Sequence, residues 1–482
     1  MTKPRTTSDG NPAVRTAWWW VAAGVLGLVL VAAGVVFDTV GMLEADASWW
    51  RAILTVPGSA VLLLAWWRLR GRVARPGVVL AIWSATVALV PPLHSRDVYS
   101  YAAQGWLVAH GLDPYVVPSG DAGQAGLLVG QHWAATTSVY PPLALELFGG
   151  VSVLFRADLW WTALGMRLPN LVAIAVLAVV LPGLARRVGV DSRTALWAGL
   201  LNPLVIVQWV GGGHNDAVMV ALLAVAFLAA HDAAWRGYRG MLLGGAVTGL
   251  AMGVKQSAAV AGLAVVALAW QAALPRLEPR RRTWPALILR AGAAGAVALL
   301  VFLGISLATG LGLGWRHPTA GSPLDAVSNA PLSWLAWLAR LAWPTAPQAI
   351  TPLLTAVSAG LVLAALGWLV VRHGPRPPDG AGRPWTLAVG ALLAFAVLGP
   401  ALQPWYLTWV APFLALAAPS PRAQRAWLVT VAAVALLPAL QDVMAPPVAM
   451  AVLAVPAWLA LRWLRNHDVS FLPGCAQPQT QV

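Results

Sequence analysis

Side chains that can move a proton or bind an anion are concentrated in four polar segments that interrupt a largely apolar chain. The segments are 94–115 (HSRDVYSYAAQGWLVAHGLDPY), 211–216 (GGGHND), 316–317 (RH) and 403–406 (QPWY). A carboxylate such as that of Asp97 can accept a proton from an attacking hydroxyl group. Arginine, lysine and histidine side chains can neutralise an anionic group without a metal. The segments therefore predict a site where a carboxylate, cations and aromatic rings act together.

The elements that must position these segments are apolar blocks of about 16–23 residues, close to the ~20 residues that a helix needs to cross a bilayer. Hydrophobic residues make up 59% of the 482-residue chain and charged residues only 10%, with a mean hydropathy of +0.72. Lipid offers no partner for an unpaired N–H or C=O group, so each block has to be helical. We therefore expect an all-α polytopic membrane protein with about 12–14 transmembrane helices.

The net charge of +14 could indicate a nucleic-acid-binding protein, but the positions of the basic residues do not. They lie in short loops between apolar blocks, as the positive-inside rule describes for cytoplasmic loops. No extramembrane segment is long enough to form a basic soluble domain, so we expect no nucleic-acid partner. Cys475 is the only cysteine, which excludes an intrachain disulfide and a cysteine-based metal site.

The distribution of Lys and Arg residues also orients the chain. Most of the 31 basic residues fall on one side when the first apolar block, 17–37, is taken as a helix that starts in the cytoplasm. This block lacks a convincing cleavage site, so it is predicted to be a transmembrane helix and not a cleaved signal peptide. Both termini are then cytoplasmic, and the four polar segments face the outer side of the plasma membrane.

One further block, 241–270, is too long for one crossing and too short for two. We expect it to form two short helices that enter and leave from the cytoplasmic side. Lys255 lies near its middle, where a charge is costly and commonly functional.

Along the chain we expect a basic cytoplasmic tail at 1–16, a single transmembrane catalytic domain at 17–465 and a polar tail at 466–482. The domain contains one large outer loop at 94–158.

Two helices are predicted within this outer loop. Apolar residues recur at helical intervals from Asp97 to His110, which is typical of a helix that lies in the membrane interface with one apolar face. A second such helix is predicted from Pro142 to Phe155. An outer cavity roofed by these helices would suit a substrate with a lipid tail and a polar head.

Four motifs make the chain similar to a known superfamily: SRDVYSY at 95–101, GGHND at 212–216, GVKQ at 253–256 and QPWY at 403–406. A large outer loop with an Asp just past the membrane edge, then a Tyr-rich helix, Asp-Pro-Tyr and Tyr-Pro-Pro-Leu, resembles the GT-C superfamily of polyprenol-dependent glycosyltransferases. The combination more specifically resembles the actinobacterial α-(1→6)-mannosyltransferases, which build the mannan backbone of lipomannan and lipoarabinomannan. The resemblance covers nearly all of the chain from about residue 15 to residue 465.

This resemblance implies the GT-C glycosyltransferase fold with juxtamembrane helices on the outer face. It implies polyprenyl-phosphate mannose as the donor and a growing α-(1→6)-mannan on a lipid anchor as the acceptor. The donor, the acceptor and membrane lipids are therefore the expected partners. The donor would be β-linked and the product α-linked, and such an inversion needs one carboxylate to take the proton of the acceptor hydroxyl. Asp97 is implied as that base. No Asp-x-Asp sequence occurs in an outer segment, so we expect no metal or other cofactor.

Two further groups of candidates accompany Asp97. Donor and phosphate contacts are expected from Arg96, His214, Lys255, Arg316 and His317. Acceptor and sugar contacts are expected from Tyr99, Tyr101, Asp113, Tyr115, Asn215, Asp216, Gln403, Trp405 and Tyr406.

Several candidates also have a structural interpretation. Asp97 and Asp216 could cap helices, because Asp favours helix starts. Asp113 precedes a proline in a natural turn sequence. Lys255 could extend its ammonium group toward the membrane surface, and Arg96 could face anionic head groups.

Two alternative functions stay open. A transporter or lipid flippase would keep charged sites near the bilayer midplane and often contains internal repeats, and the sequence shows no such repeat. A transferase for another polyprenyl-phosphate sugar, arabinose or glucose, is the closer alternative. A second catalytic acid could come from the outer turn that contains Asp38, Glu44 and Asp46.

Overall fold

The computed structural model describes residues 16–39, 48–231, 238–316, 328–343, 347–441 and 444–466. Within these ranges the chain contains no β-strand and one isolated bridge, between Arg376 and Gly380. The prediction of an all-α protein is confirmed. The helices of eight or more residues are α1 (Trp18–Thr39), α2 (Ser48–Arg68), α3 (Pro76–Ala88), α4 (Asp97–Ala109), α5 (Pro142–Leu154), α6 (Leu168–Arg187), α7 (Ser192–Gly199), α8 (Asp216–His231), α9 (Tyr238–Val254), α10 (Gly262–Ala273), α11 (Trp284–Ala308), α12 (Pro331–Ala342), α13 (Pro347–His373), α14 (Pro384–Leu398), α15 (Pro421–Gln441) and α16 (Pro446–Asn466).

The described residues include seven helices that are long and apolar enough to cross a membrane. An eighth crossing is formed if α7 and the segment Pro203–Gly211, bent by 52° relative to each other, act as one span. Five shorter apolar helices accompany them. The chain is therefore a multi-pass membrane protein, while the expected total of about 12–14 crossings stays a prediction.

The bend between α7 and Pro203–Gly211 has a local cause. The side chain of Asn202 accepts a hydrogen bond from the backbone N–H of Leu204 at 3.0 Å, which starts a new helix directly after the first one ends. The second half continues as a π-helix, Ile206–Gly211, which ends three residues before His214. Because π-helices are rare and often mark functional sites, this element directs attention to the turn that follows it.

The block 241–270 is divided into two helices, as predicted. Helix α9 ends at Val254, Lys255 adopts an extended conformation with φ −155° and ψ 123°, and a 3₁₀-helix, Gln256–Ala261, leads into α10. The break frees the Lys255 side chain from the helical register and turns it toward α8. The side of the membrane from which the two helices enter stays a prediction.

Both helices predicted within segment 94–158 are present as α4 and α5, and they pack closely against each other through glycines. A Cβ atom at Gly105 would lie 2.3 Å from the carbonyl oxygen of Phe148, and one at Gly149 would lie 2.6 Å from the Val108 side chain. Helix α4 is covered on both faces and not only on an apolar one, because α5 and the short helices of segment 94–158 enclose it. Its start therefore lies inside the protein.

Candidate active site

Asp97 is the first residue of α4, and 13% of its side chain is exposed. The indole Nε1 of Trp133 donates a hydrogen bond to Asp97 Oδ1 at 3.1 Å, and Asp97 Oδ2 lies 3.8 Å from His214 Nδ1. Burial raises the pKa of Asp97 to about 6, although the Trp133 hydrogen bond and the charge of Lys255 lower it. A carboxylate with this pKa can both gain and lose a proton near neutral pH.

His214 lies in the turn between the π-helix and α8. The preceding Gly213 has φ +69°, and a Cβ atom there would lie 2.5 Å from Val98, so the turn requires glycine for both reasons. The imidazole is fully buried and stacks on Trp405, with 3.8 Å between ring centroids. Burial lowers the pKa of His214 well below its usual range, and the charge of Lys255 lowers it further. Neither ring nitrogen has a hydrogen-bond partner among the described residues.

Lys255 forms a buried ion pair with Asp216, the first residue of α8. Its Nζ lies 2.7 Å from Asp216 Oδ1, and Trp409 Nε1 donates a hydrogen bond to the same oxygen. The ammonium group also lies over the rings of Tyr406, at 4.6 Å from the centroid, and Trp409, at 5.4 Å. The GVKQ and QPWY motifs, 150 positions apart along the chain, therefore meet at one cation.

Arg167 connects the two segments that carry Asp97 and His214. Its Nε donates to the carbonyl of Val210, and its Nη2 donates to those of Val90 and Gly211, each at 2.8 Å. Val90 follows α3 on the path to Asp97, whereas Val210 and Gly211 end the π-helix before His214. The residue is 1% exposed, so these hydrogen bonds are made out of water. Arg167 thus fixes the spacing of the two segments.

Tyrosine side chains form the wall behind Asp97. Tyr101 is buried in α4, its ring stacks on Phe148, and its hydroxyl lies 3.2 Å from that of Tyr140. Burial raises the pKa of both hydroxyl groups well above the usual range, so they stay protonated and can donate hydrogen bonds. Tyr115 donates a hydrogen bond to the Tyr140 carbonyl at 2.7 Å.

The predicted candidates separate into two groups. Asp97, His214, Asn215, Asp216, Lys255, Trp405 and Tyr406 form one cluster, with Tyr101 behind it. The buried side-chain amide of Asn215 has no hydrogen-bond partner among the described residues, and Asp216 Oδ2 has none either. Polar atoms that are buried in this way point to a ligand or water that completes the site.

The remaining candidates lie apart from the cluster. The exposed Arg96 donates to the carbonyl of Leu128 at 3.3 Å and lies 5.9 Å over the ring of Tyr99. The exposed Asp113 accepts a hydrogen bond from the backbone N–H of Tyr115 at 2.8 Å, as the turn interpretation expects.

Two more candidates stand at the starts or ends of short helices. Gln403 precedes the 3₁₀-helix Pro404–Trp409. The exposed Arg316 ends the short turn Gly314–Arg316, which packs on the ring of Tyr115. His317, Glu44, Asp46 and the tail residues 1–15 and 467–482 lie outside the described residues.

Sequence reasoning did not single out Trp133, Trp409 or Arg167, and Tyr140 entered only as part of the Tyr-Pro-Pro-Leu motif. Trp133 is one of 28 tryptophans, and nothing in its local sequence distinguishes it. Arg167 carried a signal, since it is a lone arginine at the outer end of an apolar block. Within the part of the chain that the structure describes, no group of three or more His, Cys, Asp or Glu residues is placed to hold a metal ion.

Comparisons with known proteins agree with the resemblance in the motifs. The profile of a family described as "Alpha-(1->6)-mannopyranosyltransferase, N-terminal domain" matches residues 14–273. Alpha-(1->6)-mannopyranosyltransferase A of Mycobacterium tuberculosis is 32% identical over 409 residues, covering 78% of this chain and 72% of that protein. A probable alpha-(1->6)-mannopyranosyltransferase of Mycolicibacterium smegmatis is 30% identical, covering 74% of this chain and 69% of that protein. Alpha-(1->6)-mannopyranosyltransferase B of Corynebacterium glutamicum is 26% identical, covering 68% and 56%. No solved structure matches the chain.

Proposed function

Because this chain belongs to the α-(1→6)-mannopyranosyltransferase family, we propose that it transfers mannose from polyprenyl-phosphate mannose to a growing α-(1→6)-mannan on a lipid anchor. The observation that carries the proposal is the buried carboxylate of Asp97, with a pKa of about 6, beside an unpaired histidine that stacks on a tryptophan. Glycosyl transfer with inversion needs a proton acceptor in such a position, whereas a transporter would keep its charged sites near the bilayer midplane.

In the proposed reaction, the acceptor hydroxyl attacks the anomeric carbon of the donor on the face opposite the phosphate. The new C–O bond forms as the bond between the anomeric carbon and the phosphate oxygen breaks, and the electron pair leaves with the polyprenyl phosphate. Asp97 takes the hydroxyl proton during the attack. Its pKa near neutrality suits a base that is ionised before the reaction and protonated after it.

Lys255 and His214 are the proposed donor contacts in the cluster. A lysine ammonium group has three N–H donors, and Asp216 accepts one from Lys255. A neutral imidazole offers one N–H donor, and both nitrogens of His214 are unpaired among the described residues. The developing negative charge on the phosphate can be stabilised by such donors, which act strongly where water is excluded. Arg96, Arg316 and His317 stay candidates for contacts at the rim.

The aromatic rings are proposed to hold the sugars. Trp405 is partly exposed and is braced from behind by His214, and Tyr406 stands at its edge with 6.1 Å between ring centroids. Tyr101 and Tyr140 present protonated hydroxyl groups that suit the hydroxyl-rich surface of a sugar. We also propose that residues 17–465 form one catalytic domain in the plasma membrane, with this site on the outer face, because the basic residues favour that orientation.

The test is transfer of radiolabelled mannose from polyprenyl-phosphate mannose to a short α-mannoside acceptor, with linkage analysis of the product. We expect α-(1→6) product from the intact protein and a loss of at least about a hundredfold in Asp97→Asn. The matched control is Asp121→Asn, which changes an exposed aspartate of the same outer loop and should keep full activity.

Three results would change the proposal. Equal rates for Asp97→Asn and the intact protein would move the base elsewhere. Transfer from a polyprenyl-phosphate pentose or glucose, but not from the mannose donor, would change the sugar. No transfer by a folded protein with any of these donors would contradict the proposed reaction.

A further inference from the structure

An apolar groove far from the candidate active site lies between α2 and α16, with α15 as its floor. Its volume is about 540 Å³, and every residue that lines it is apolar. Helix α15 packs against both α2 and α16. Small side chains, including Ala432, Ala457 and Ala460, create the hollow, and the bulky Trp66 and Trp463 stand at one end of it.

The wall formed by Trp66 is rigid. Its indole Nε1 donates to the Trp197 carbonyl at 3.0 Å, and Trp197 Nε1 donates to the Trp66 carbonyl at 2.8 Å. The two rings also stack, with 4.9 Å between centroids. A side chain with both its ring and its backbone held in this way does not collapse into the groove, so the hollow is part of the fold.

Six arginines lie at the helix ends nearest the tryptophan end of the groove. Arg68 ends α2 and Arg70 follows it, Arg422 and Arg425 lie in the first turns of α15, and Arg462 and Arg465 lie in the last turns of α16. The three helices contain no Asp or Glu. Arg70 lies 5.3 Å over the ring of Trp67, which lines the groove, so positive charge reaches the edge of the apolar surface. The groove therefore combines an apolar hollow with a strongly basic rim.

The groove and Asp97 are at opposite ends of α3. Residues 69–75 join the arginine end of α2 to the start of α3, whereas Asp97 follows the other end of that helix. The 13 residues of α3 correspond to a rise of roughly 20 Å. The groove is thus separate from the site proposed for sugar transfer.

We propose that this groove binds a membrane phospholipid with an anionic head group. An acyl chain would lie along α15 between α2 and α16, and the phosphate would contact the arginine rim. Water does not fill an apolar hollow of this kind, and lipid chains are the solvent around these helices. Two turns of a helix roughly 10 Å across occupy more than this volume, so the groove is too small for a helix from a second copy. The arginines select an anionic head group over a zwitterionic one.

Native mass spectrometry of the delipidated full-length protein tests the proposal. Phosphatidylglycerol and phosphatidylcholine with identical acyl chains serve as probes. We expect phosphatidylglycerol to bind at least tenfold more tightly than phosphatidylcholine. In Arg462→Gln/Arg465→Gln the phosphatidylglycerol affinity should fall roughly 20- to 30-fold, at about fivefold per arginine. The control Arg372→Gln removes an exposed arginine from α13, away from the groove, and should bind as the intact protein does.

A second pair of variants tests the hollow itself. Ala457→Phe/Ala460→Phe fills the groove and should abolish phosphatidylglycerol binding, whereas Ala359→Phe, on the exposed face of α13, should not. Equal affinities for the two lipids, or unchanged binding in both sets of variants, would overturn the proposal. A protein dimer that the two phenylalanines disrupt would instead identify the groove as an interface between copies.

Discussion

Replacement of Asp97 by asparagine should remove activity and, at the same time, make the folded protein more stable at alkaline pH. Burial raises the pKa of Asp97 from 3.8 to about 6. The folded state therefore favours the neutral acid, and the stability that this proton contributes is complete below about pH 4 and lost as the pH rises through 6. At about 1.4 kcal/mol for each tenfold change in proton affinity, ionised Asp97 costs about 3 kcal/mol at pH 8. Asparagine mimics the neutral acid and avoids this cost.

The assay compares thermal unfolding of the intact protein, Asp97→Asn and the exposed control Asp121→Asn in detergent at pH 8 and pH 5. The stability gained by Asp97→Asn should be largest at pH 8 and about half as large at pH 5, because most of the Asp97 side chains are then protonated in the folded intact protein. Asp121→Asn should show neither a gain in stability nor a loss of mannose transfer.

Two results would refute this reasoning. A variant that is less stable than the intact protein at pH 8 would mean that the carboxylate of Asp97 makes favourable contacts that outweigh its burial. A gain of the same size at both pH values would mean that the effect does not come from ionisation. In either case the pKa near 6, and with it the argument for a base poised at neutral pH, would be wrong.

Three further predictions concern the groups around Asp97. Lys255→Gln leaves the buried carboxylate of Asp216 without its cation, so we expect a loss of roughly 3–5 kcal/mol in unfolding free energy and no mannose transfer. The double variant Lys255→Gln/Asp216→Asn should recover the stability but not the activity. Trp405→Ala removes the ring that stacks on His214 and should lower kcat/KM by roughly two- to tenfold, measured against Trp405→Phe, which should lose less. Arg167→Lys cannot reproduce the three guanidinium hydrogen bonds, so kcat should fall at least tenfold in steady-state assays while KM changes little.

The helices could be predicted because the membrane leaves few alternatives. Once a block is apolar and long enough, its backbone has to pair internally, and a helix follows. The division of block 241–270 into two helices was predictable for a related reason, since the block is too long for one crossing and too short for two. The grouping of Asp97, His214 and Trp405 was also predictable, because the positive-inside rule predicts that the segments carrying them lie on the same face of the membrane.

The pairing of side chains within the site could not be predicted from the sequence. Lys255 pairs with Asp216, 39 positions earlier, and both share Trp409, which no local pattern distinguishes from the other tryptophans. Arg96 and Arg167 show the same limitation. Arg96 is adjacent to Asp97 in sequence but points outward to Leu128, whereas Arg167 is 70 positions away and holds the segments that carry the site. Helix direction and packing decide such contacts, and both depend on the whole fold.

The contacts of the two buried carboxylates explain why Asp97, and not Asp216, is the proposed base. Asp216 Oδ1 already accepts hydrogen bonds from Lys255 and Trp409. A proton on Asp216 would break the ion pair and leave a buried ammonium group without its partner, which is costly. Among the described residues, the Asp97 carboxylate interacts with neutral groups, namely Trp133, Ser95 and His214 at 3.8 Å, so it can accept a proton without disrupting a buried charge pair. In the proposed reaction, Asp216 thus keeps Lys255 charged for the phosphate, and Asp97 is left to take the proton from the acceptor.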